Sequence, residues 1–212
     1  MRIVLLIVLC LGAYLLGGFS TGRWLVSRQK GVDIRAFGSG SSGATNVLRV
    51  MGKNAGLITF AGDFLKGIIA ALAGVIFADA LQMSPKLAAC VIGFCAIFGN
   101  VFPVMAGFKG GKGVATAAGT FVVISIGACF LAIAATILCI VLTRFVSLGS
   151  LLGGVVFWVF GGIPNLIRGQ GFIFAFATCV MALVFFSHRD NIKRLLAGKE
   201  NVIDLAAFSA KK

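Results

Sequence analysis

The segment Phe108-Lys109-Gly110-Gly111-Lys112-Gly113-Val114 sets two lysines and a run of glycines against the start of a long apolar stretch. Glycines let backbone N–H groups approach an anion, the lysines add charge, and a helix N-terminus supplies free donors, so this spacing suits a bound phosphate. It is not a Walker A loop, because Ala106 stands where the first glycine is needed and Gly113 where a Ser or Thr would hold magnesium. That argues against a nucleoside triphosphatase. A plainer reading makes the lysines topology markers and the glycines turn formers. Two glycines between two lysines at a helix start favour phosphate binding, by Lys109, Gly110, Gly111, Lys112 and Gly113.

A second cluster, Gly38-Ser39-Gly40-Ser41-Ser42-Gly43-Ala44-Thr45-Asn46, is followed by Arg49. Gly38 to Gly43 formally fits the dinucleotide pattern G-x-G-x-x-G, with Asp63 downstream. The preceding Asp33-Ile34-Arg35-Ala36-Phe37 is too polar for a buried strand, and Asp63 falls within an apolar run, so a Rossmann unit is rejected. Anion binding by glycine amides, serine hydroxyls and the positive end of a short helix after Ala44 remains. Thr45 and Arg49, four apart, share a face of that helix. A flexible Gly/Ser connector is the competing reading, and the ordered polar run ending in Arg favours a ligand site.

The third cluster, His188-Arg189-Asp190-Asn191-Ile192-Lys193-Arg194-Leu195-Leu196, is closed by Gly198 and Glu200. On a helix His188, Asn191 and Leu195 share a face, and Gly198 suits a C-terminal stop. Lys193 and Arg194 read as a solvated face. His188 is the only histidine, which excludes a multi-histidine metal site and leaves a structural and a functional role both open. Asp63 and Lys66, three apart in an apolar run, can pair. They either neutralise each other or brace substrate-facing groups.

These clusters hang on apolar segments. Of 212 residues 59% are hydrophobic and 12% charged, the signature of a polytopic helical membrane protein whose spans need about 20 apolar residues each. Three prolines, 29 glycines and one tyrosine do not fit a β-barrel. The six cysteines fall in apolar stretches without Cys-x-x-Cys spacing and read as packing residues. Arg2 before Ile3–Leu16 resembles a signal peptide, but no clean small-x-small site follows and the apolar character runs on to Trp24-Leu25-Val26, so it is expected to be the first span. Further spans are expected at 55–79, 86–106, 113–125, 127–143, 149–166 and 171–187. Small residues at Gly18 and Gly22, and at Gly149 and Gly153, suit close helix packing.

Charge sets the count. With a turn near Ser125-Ile126-Gly127, every basic residue except Arg2, Lys86 and Arg168 falls on one side, including the tail with Lys211 and Lys212. Cytoplasmic loops collect Lys and Arg, so one all-α membrane domain over 1–212 is expected, with seven transmembrane helices, the N-terminus outside and the C-terminus cytoplasmic. Topology and attraction to anionic membrane lipids account for part of the net charge of +13. Nucleic acid is not an expected partner, since no soluble recognition domain is left.

The order of these motifs, with Asp33-Ile34-Arg35, Asp63-Phe64-Leu65-Lys66-Gly67, Ser147-Leu148-Gly149-Ser150 and His188-Arg189-x-Asn191-Ile192, resembles the bacterial acyl-phosphate-dependent glycerol-3-phosphate acyltransferase family nearly end to end. The resemblance implies a seven-helix inner-membrane enzyme, active site facing the cytoplasm, that moves an acyl group from acyl phosphate to glycerol 3-phosphate, giving lysophosphatidic acid without metal or cofactor. It implies that Ser39 and Arg49 belong to the catalytic centre with His188 and Asn191. Gly38, Gly40, Gly43, Thr45, Asn46 and the 109–113 loop would bind substrate, while Asp63, Lys66 and Glu200 would be structural. Three places depart from the family pattern: Gly17-Gly18-Phe19-Ser20-Thr21-Gly22 stands for Gly-Ser-Ile-Pro-x-Gly, Ser41 for an asparagine, and Asn100 for a common histidine. They leave open a paralogue with another donor or acceptor.

The inventory suits that chemistry. Acyl transfer to a hydroxyl needs a stabilised oxyanion and a route for the proton. Cations and amides abound but bases are scarce, and the residue five after His188 is Lys193, so a His-x-x-x-x-Asp arrangement is absent. The phosphate oxygens of an acyl phosphate can accept the proton instead, with positioning supplying most of the rate. A transporter or channel for a phosphorylated metabolite is the alternative, weakened by the lack of an internal repeat and by polar clusters at one face rather than the midplane. A structural lipid-binding protein would explain the charge but not the glycine motifs.

Overall fold

The computed structural model describes residues 1–203, so Lys211 and Lys212 of the basic tail lie outside the described residues. Helix α1 (Arg2–Gly18) meets α2 (Thr21–Lys30) at a 40° bend. The expected continuous first span therefore breaks at Phe19-Ser20. Gly17-Gly18 propagates a helix poorly, and the Ser20 side chain accepts from the Arg23 amide at 3.3 Å, starting a new helix there.

The short helix expected after Ala44 is α3 (Ala44–Met51), followed by α4 (Lys53–Ile76) and the single turn α5 (Ala78–Leu81). Ser84 caps α6 (Pro85–Val101), which has proline in its first turn, where no N–H is missed. Beyond Val101 the chain does not stay α-helical to 106, because Pro103 intervenes and only a 3₁₀ turn, Val104–Ala106, follows.

Next come α7 (Val114–Ile124) and α8 (Ile126–Thr143), broken at Ser125 close to the expected turn. With 11 residues α7 rises only about 16 Å, half a hydrocarbon core, so the segment expected as a full span is a short helix inside the bundle. Helix α9 (Val146–Phe157) continues through a wide π turn at Trp158–Gly162 into α10 (Ile163–Ile167). Helix α11 (Gly171–Ser187) and α12 (Arg189–Leu196) diverge by 61° at His188.

Among the described residues four stretches are long and apolar enough to cross a bilayer, namely Lys53–Ile76, Pro85–Ala106, Ile126–Thr143 and Val146–Ile167, and the bent pairs α1/α2 and α11/α12 raise the number to six. The described residues are helical or irregular, without a strand.

Helix α7 is the hub. On one side Gly67 of α4 lies so close to the Thr116 carbonyl that a Cβ would overlap it. On the other, Phe121 stacks on Phe157 with centroids 3.4 Å apart and meets Phe176 edge-on at 6.0 Å. Gly149 and Gly153 let α9 lie against Thr136 and Ile140 of α8, in keeping with the close packing expected of them. The end of α6 is finished by Tyr14, whose hydroxyl donates to the Phe102 carbonyl at 2.7 Å.

Candidate active site

The first loop is shaped by one side chain. Asn46, buried at the start of α3, donates through Nδ2 to the carbonyls of Phe37 (2.9 Å), Ser41 (2.8 Å) and Ile34 (3.3 Å), and its Oδ1 accepts from the Ser39 amide at 2.8 Å. Its amide is therefore committed to the loop, not to a ligand. Gly38 has φ +60 and sits where a Cβ would strike Asn46 Oδ1, so that position needs glycine for both reasons. Arg35 then fastens the loop to its neighbour. The guanidinium grips Asp33 at 2.7 Å and donates to the carbonyls of Ala106 (2.8 Å) and Lys109 (3.2 Å). Hydrogen bonds from Arg35 hold the Asp33 carboxyl down at about 2.

The second loop differs from the expected anion cradle. The amides of Gly110 and Gly111 donate to the carbonyls of Val101 (3.2 Å) and Asn100 (2.9 Å), and the Gly113 amide donates to Asn100 Oδ1 at 3.1 Å. These N–H groups are spent on the end of α6. The donors that remain there are Lys112 Nζ and the unpaired N–H groups of the first turn of α7, capped by Gly113 at φ +75.

The third cluster orients that lysine. Lys112 Nζ donates to Asn191 Oδ1, and Asn191 Nδ2 donates to Glu200 Oε1 at 2.6 Å. Glu200 also accepts from Ser147 Oγ at 3.0 Å and Arg194 Nε at 2.9 Å. Burial pushes the Glu200 carboxyl up, but these donors outweigh it and hold it below the usual range. Both ends of the Asn191 amide are thus occupied, and Glu200 pins the strap of residues after α12. Arg49 donates to the Asn201 carbonyl at 3.3 Å on the same strap.

His188, 1% exposed, lies 2.8 Å through Nδ1 from the Val184 carbonyl. A carbonyl only accepts, so Nδ1 carries the proton and the neutral ring keeps Nε2 as an acceptor. Burial, then the Lys112 charge, pushes the imidazole down to about 4. Burial likewise pushes Lys112 down to about 8.

The three clusters surround one cavity of about 550 Å³. Ser39, Gly43, Thr45, Asn46, Arg49, Asp63, Lys112, Gly113, His188, Asn191 and Glu200 border it, whereas Gly38, Gly40, Lys66, Lys109, Gly110 and Gly111 do not line it. Asp63 and Lys66 form a buried ion pair at 2.8 Å, with Lys66 also donating to the Phe19 carbonyl at the α1/α2 break. The far side of the cavity is apolar, lined by Ala118, Ile133, Ile137, Ile140 and Val141. A smaller void of about 50 Å³ lies beyond, sharing Val114, Ala118, Ile133, Thr136 and Ser150 with it and reaching Cys129, Gly154 and Val180.

One end can hold and polarise an anion, and the other can take a hydrocarbon chain. Sequence reasoning missed that apolar wall, since a residue facing a bound chain looks like one facing lipid. It also treated Asn100 only as a departure, although the side chain borders the cavity.

Residues 7–198 match the family described as glycerol-3-phosphate acyltransferase. The chain belongs to that family. A glycerol-3-phosphate acyltransferase of Geotalea daltonii (strain DSM 22248 / JCM 15807 / FRC-32) is 43% identical over 199 residues, covering 92% of this chain and 96% of that one. One from Clostridioides difficile (strain 630) is 38% identical over 206 residues, covering 96% and 98%. The glycerol-3-phosphate acyltransferase fold is matched too. Crystal structures of PlsY, an integral membrane glycerol 3-phosphate acyltransferase, superpose with TM-scores of 0.84 for its glycerol 3-phosphate form and 0.80 for its lysophosphatidic acid form, both at 33% identity. The first covers 97% of this chain and 99% of PlsY.

Proposed function

We propose that the chain transfers an acyl group from acyl phosphate to glycerol 3-phosphate, giving lysophosphatidic acid and inorganic phosphate. The observation that carries this is the single cavity with Arg49, Lys112, His188 and Ser39 at one end and the α8 wall at the other. An acyl phosphate has that same division. The likeness to PlsY in its glycerol 3-phosphate and lysophosphatidic acid forms supports the acceptor and the product.

The acceptor's primary hydroxyl oxygen attacks the carbonyl carbon of the acyl phosphate. A C–O bond to glycerol forms, the C–O bond to phosphate breaks, and the hydroxyl proton ends on the departing phosphate. His188 Nε2 accepts a hydrogen bond from the hydroxyl and aims it. Arg49 and Lys112 balance phosphate charge, and the Ser39 hydroxyl donates toward the developing oxyanion. Asn46 and Asn191 act one step back, the first by shaping the Ser39 loop and the second by holding Lys112.

The reading places seven membrane segments in a bacterial inner membrane, α7 being the short one, with the N-terminus outside and the cavity at the cytoplasmic face. Arg2 bonding Gln82 supports one common end for the N-terminus and the α5/α6 turn. Arg35 on Lys109, Lys112 on Asn191 and Arg144 accepting from Ile203 support the other end as the meeting place of the basic loops.

Purified protein given glycerol 3-phosphate should form lysophosphatidic acid from palmitoyl phosphate and none from palmitoyl-CoA. Product from the thioester alone would overturn the donor, and no product from either would overturn the transferase reading.

A further inference from the structure

Asn100 links the break in the first span to the loop that starts α7. Its side chain is 7% exposed and near the end of α6. The Oδ1 accepts from the Gly113 amide at 3.1 Å, its own carbonyl accepts from the Gly111 amide at 2.9 Å, and its amide group faces the Asp63 carboxylate. Asp63 in turn pairs with Lys66 at 2.8 Å and accepts from Thr21 Oγ1 at 3.4 Å, while Lys66 holds the Phe19 carbonyl at 3.0 Å. A directed chain therefore runs from the break in the first span, through Lys66, Asp63 and Asn100, to the residue that caps α7.

The direction of each link is fixed by chemistry. Lys66 only donates and an ionised Asp63 only accepts, so Asn100 must turn its NH₂ toward Asp63 and its Oδ1 toward the glycine loop. That fixes the side-chain orientation and commits Oδ1 to the Gly113 amide. Gly113 immediately follows Lys112 and sets where the first turn of α7 points its free N–H groups. We propose that Asn100 is a positioning residue for the acceptor phosphate, locking the Lys112 loop through the Asp63–Lys66 pair. This rests on the acceptor reading above.

Two variants disturb the link from opposite ends. Asn100→Ala removes the acceptor for the Gly113 amide, and Gly111→Ala sets a methyl against Asn100 Oδ1. Each should raise KM for glycerol 3-phosphate about 10-fold, the size expected for one buried donor left unmet, with KM for acyl phosphate and kcat within about 3-fold of the parent protein.

Asn100→Asp should do the same by setting two carboxylates face to face. Adding Asp63→Asn restores the donor and acceptor order with the roles exchanged, so the double variant should recover the parent KM to within about 3-fold. Kinetics on detergent-purified, monodisperse protein reads all four. The proposal is overturned if KM for both substrates rises together, if kcat falls alone, or if the double variant is no better than Asn100→Asp. Absence of lysophosphatidic acid from the parent protein would instead overturn the acceptor reading itself.

Discussion

His188 is neutral throughout the range in which a phosphate monoester titrates, because burial and the nearby Lys112 charge push its imidazole down to about 4. So weak a base accepts a hydrogen bond through Nε2 without keeping the proton, and the substrate phosphate, with a second pKa near about 6, is the better acceptor. At saturating substrates His188→Gln should therefore lose less than the roughly 100-fold expected on removing a general base. Arg49→Ala should lose at least about 100-fold in kcat, since it strips transition-state charge stabilisation. A folded His188→Gln protein as inactive as Arg49→Ala would make the histidine the base.

Lys112 gives the pH dependence. Its ammonium, pushed down to about 8 chiefly by burial, is charged below that pH and loses its charge as the pH rises through it. KM for glycerol 3-phosphate should climb above about pH 8 while kcat stays level, because a bound phosphate dianion restores the charged form. Initial rates at several acceptor concentrations between about pH 6 and pH 9 check this.

Among the elements, the short α7 matters most. It starts at the polar clusters and ends about 16 Å away, so its first turn faces the anion end while its later turns wall the small void toward α8, α9 and α11. Gly154 of α9 borders that void, and nothing lies within 4 Å of where its Cβ would stand. Gly154→Val should fill it and lower activity on stearoyl phosphate relative to lauroyl phosphate, leaving KM for glycerol 3-phosphate unchanged. Equal activity ratios in both proteins, measured with the two donors, would mean that the acyl chain ends elsewhere.

The elements also separate what the residues disclose from what they hide. The break at Ser125 and the start of α3 at Ala44 could be read from local sequence, because apolar periodicity and turn residues act over a few positions. The bend at Phe19 was hidden, because its carbonyl is satisfied by Lys66, 47 positions away. The same limit governs the site. Spacing pointed to Lys112 and Arg49, but it could not disclose that the glycine amides beside Lys112 serve Asn100 and Val101, or that Asn46 is consumed by its own loop. Those commitments are made between segments, and only packing reveals them.

For the whole molecule, the proposed orientation sets the anion-binding end at the cytoplasmic face and the hydrocarbon wall within the bilayer. Glycerol 3-phosphate is charged and does not cross a lipid core, so the side from which it is used reports where the cavity opens. Membrane vesicles of both orientations, loaded with acyl phosphate and given external labelled glycerol 3-phosphate, measure this directly, with Arg49→Ala vesicles as the blank. The proposed orientation requires immediate lysophosphatidic acid from inside-out vesicles and none from right-side-out vesicles until they are permeabilised. Product from sealed right-side-out vesicles, or none from either after permeabilisation, would contradict it.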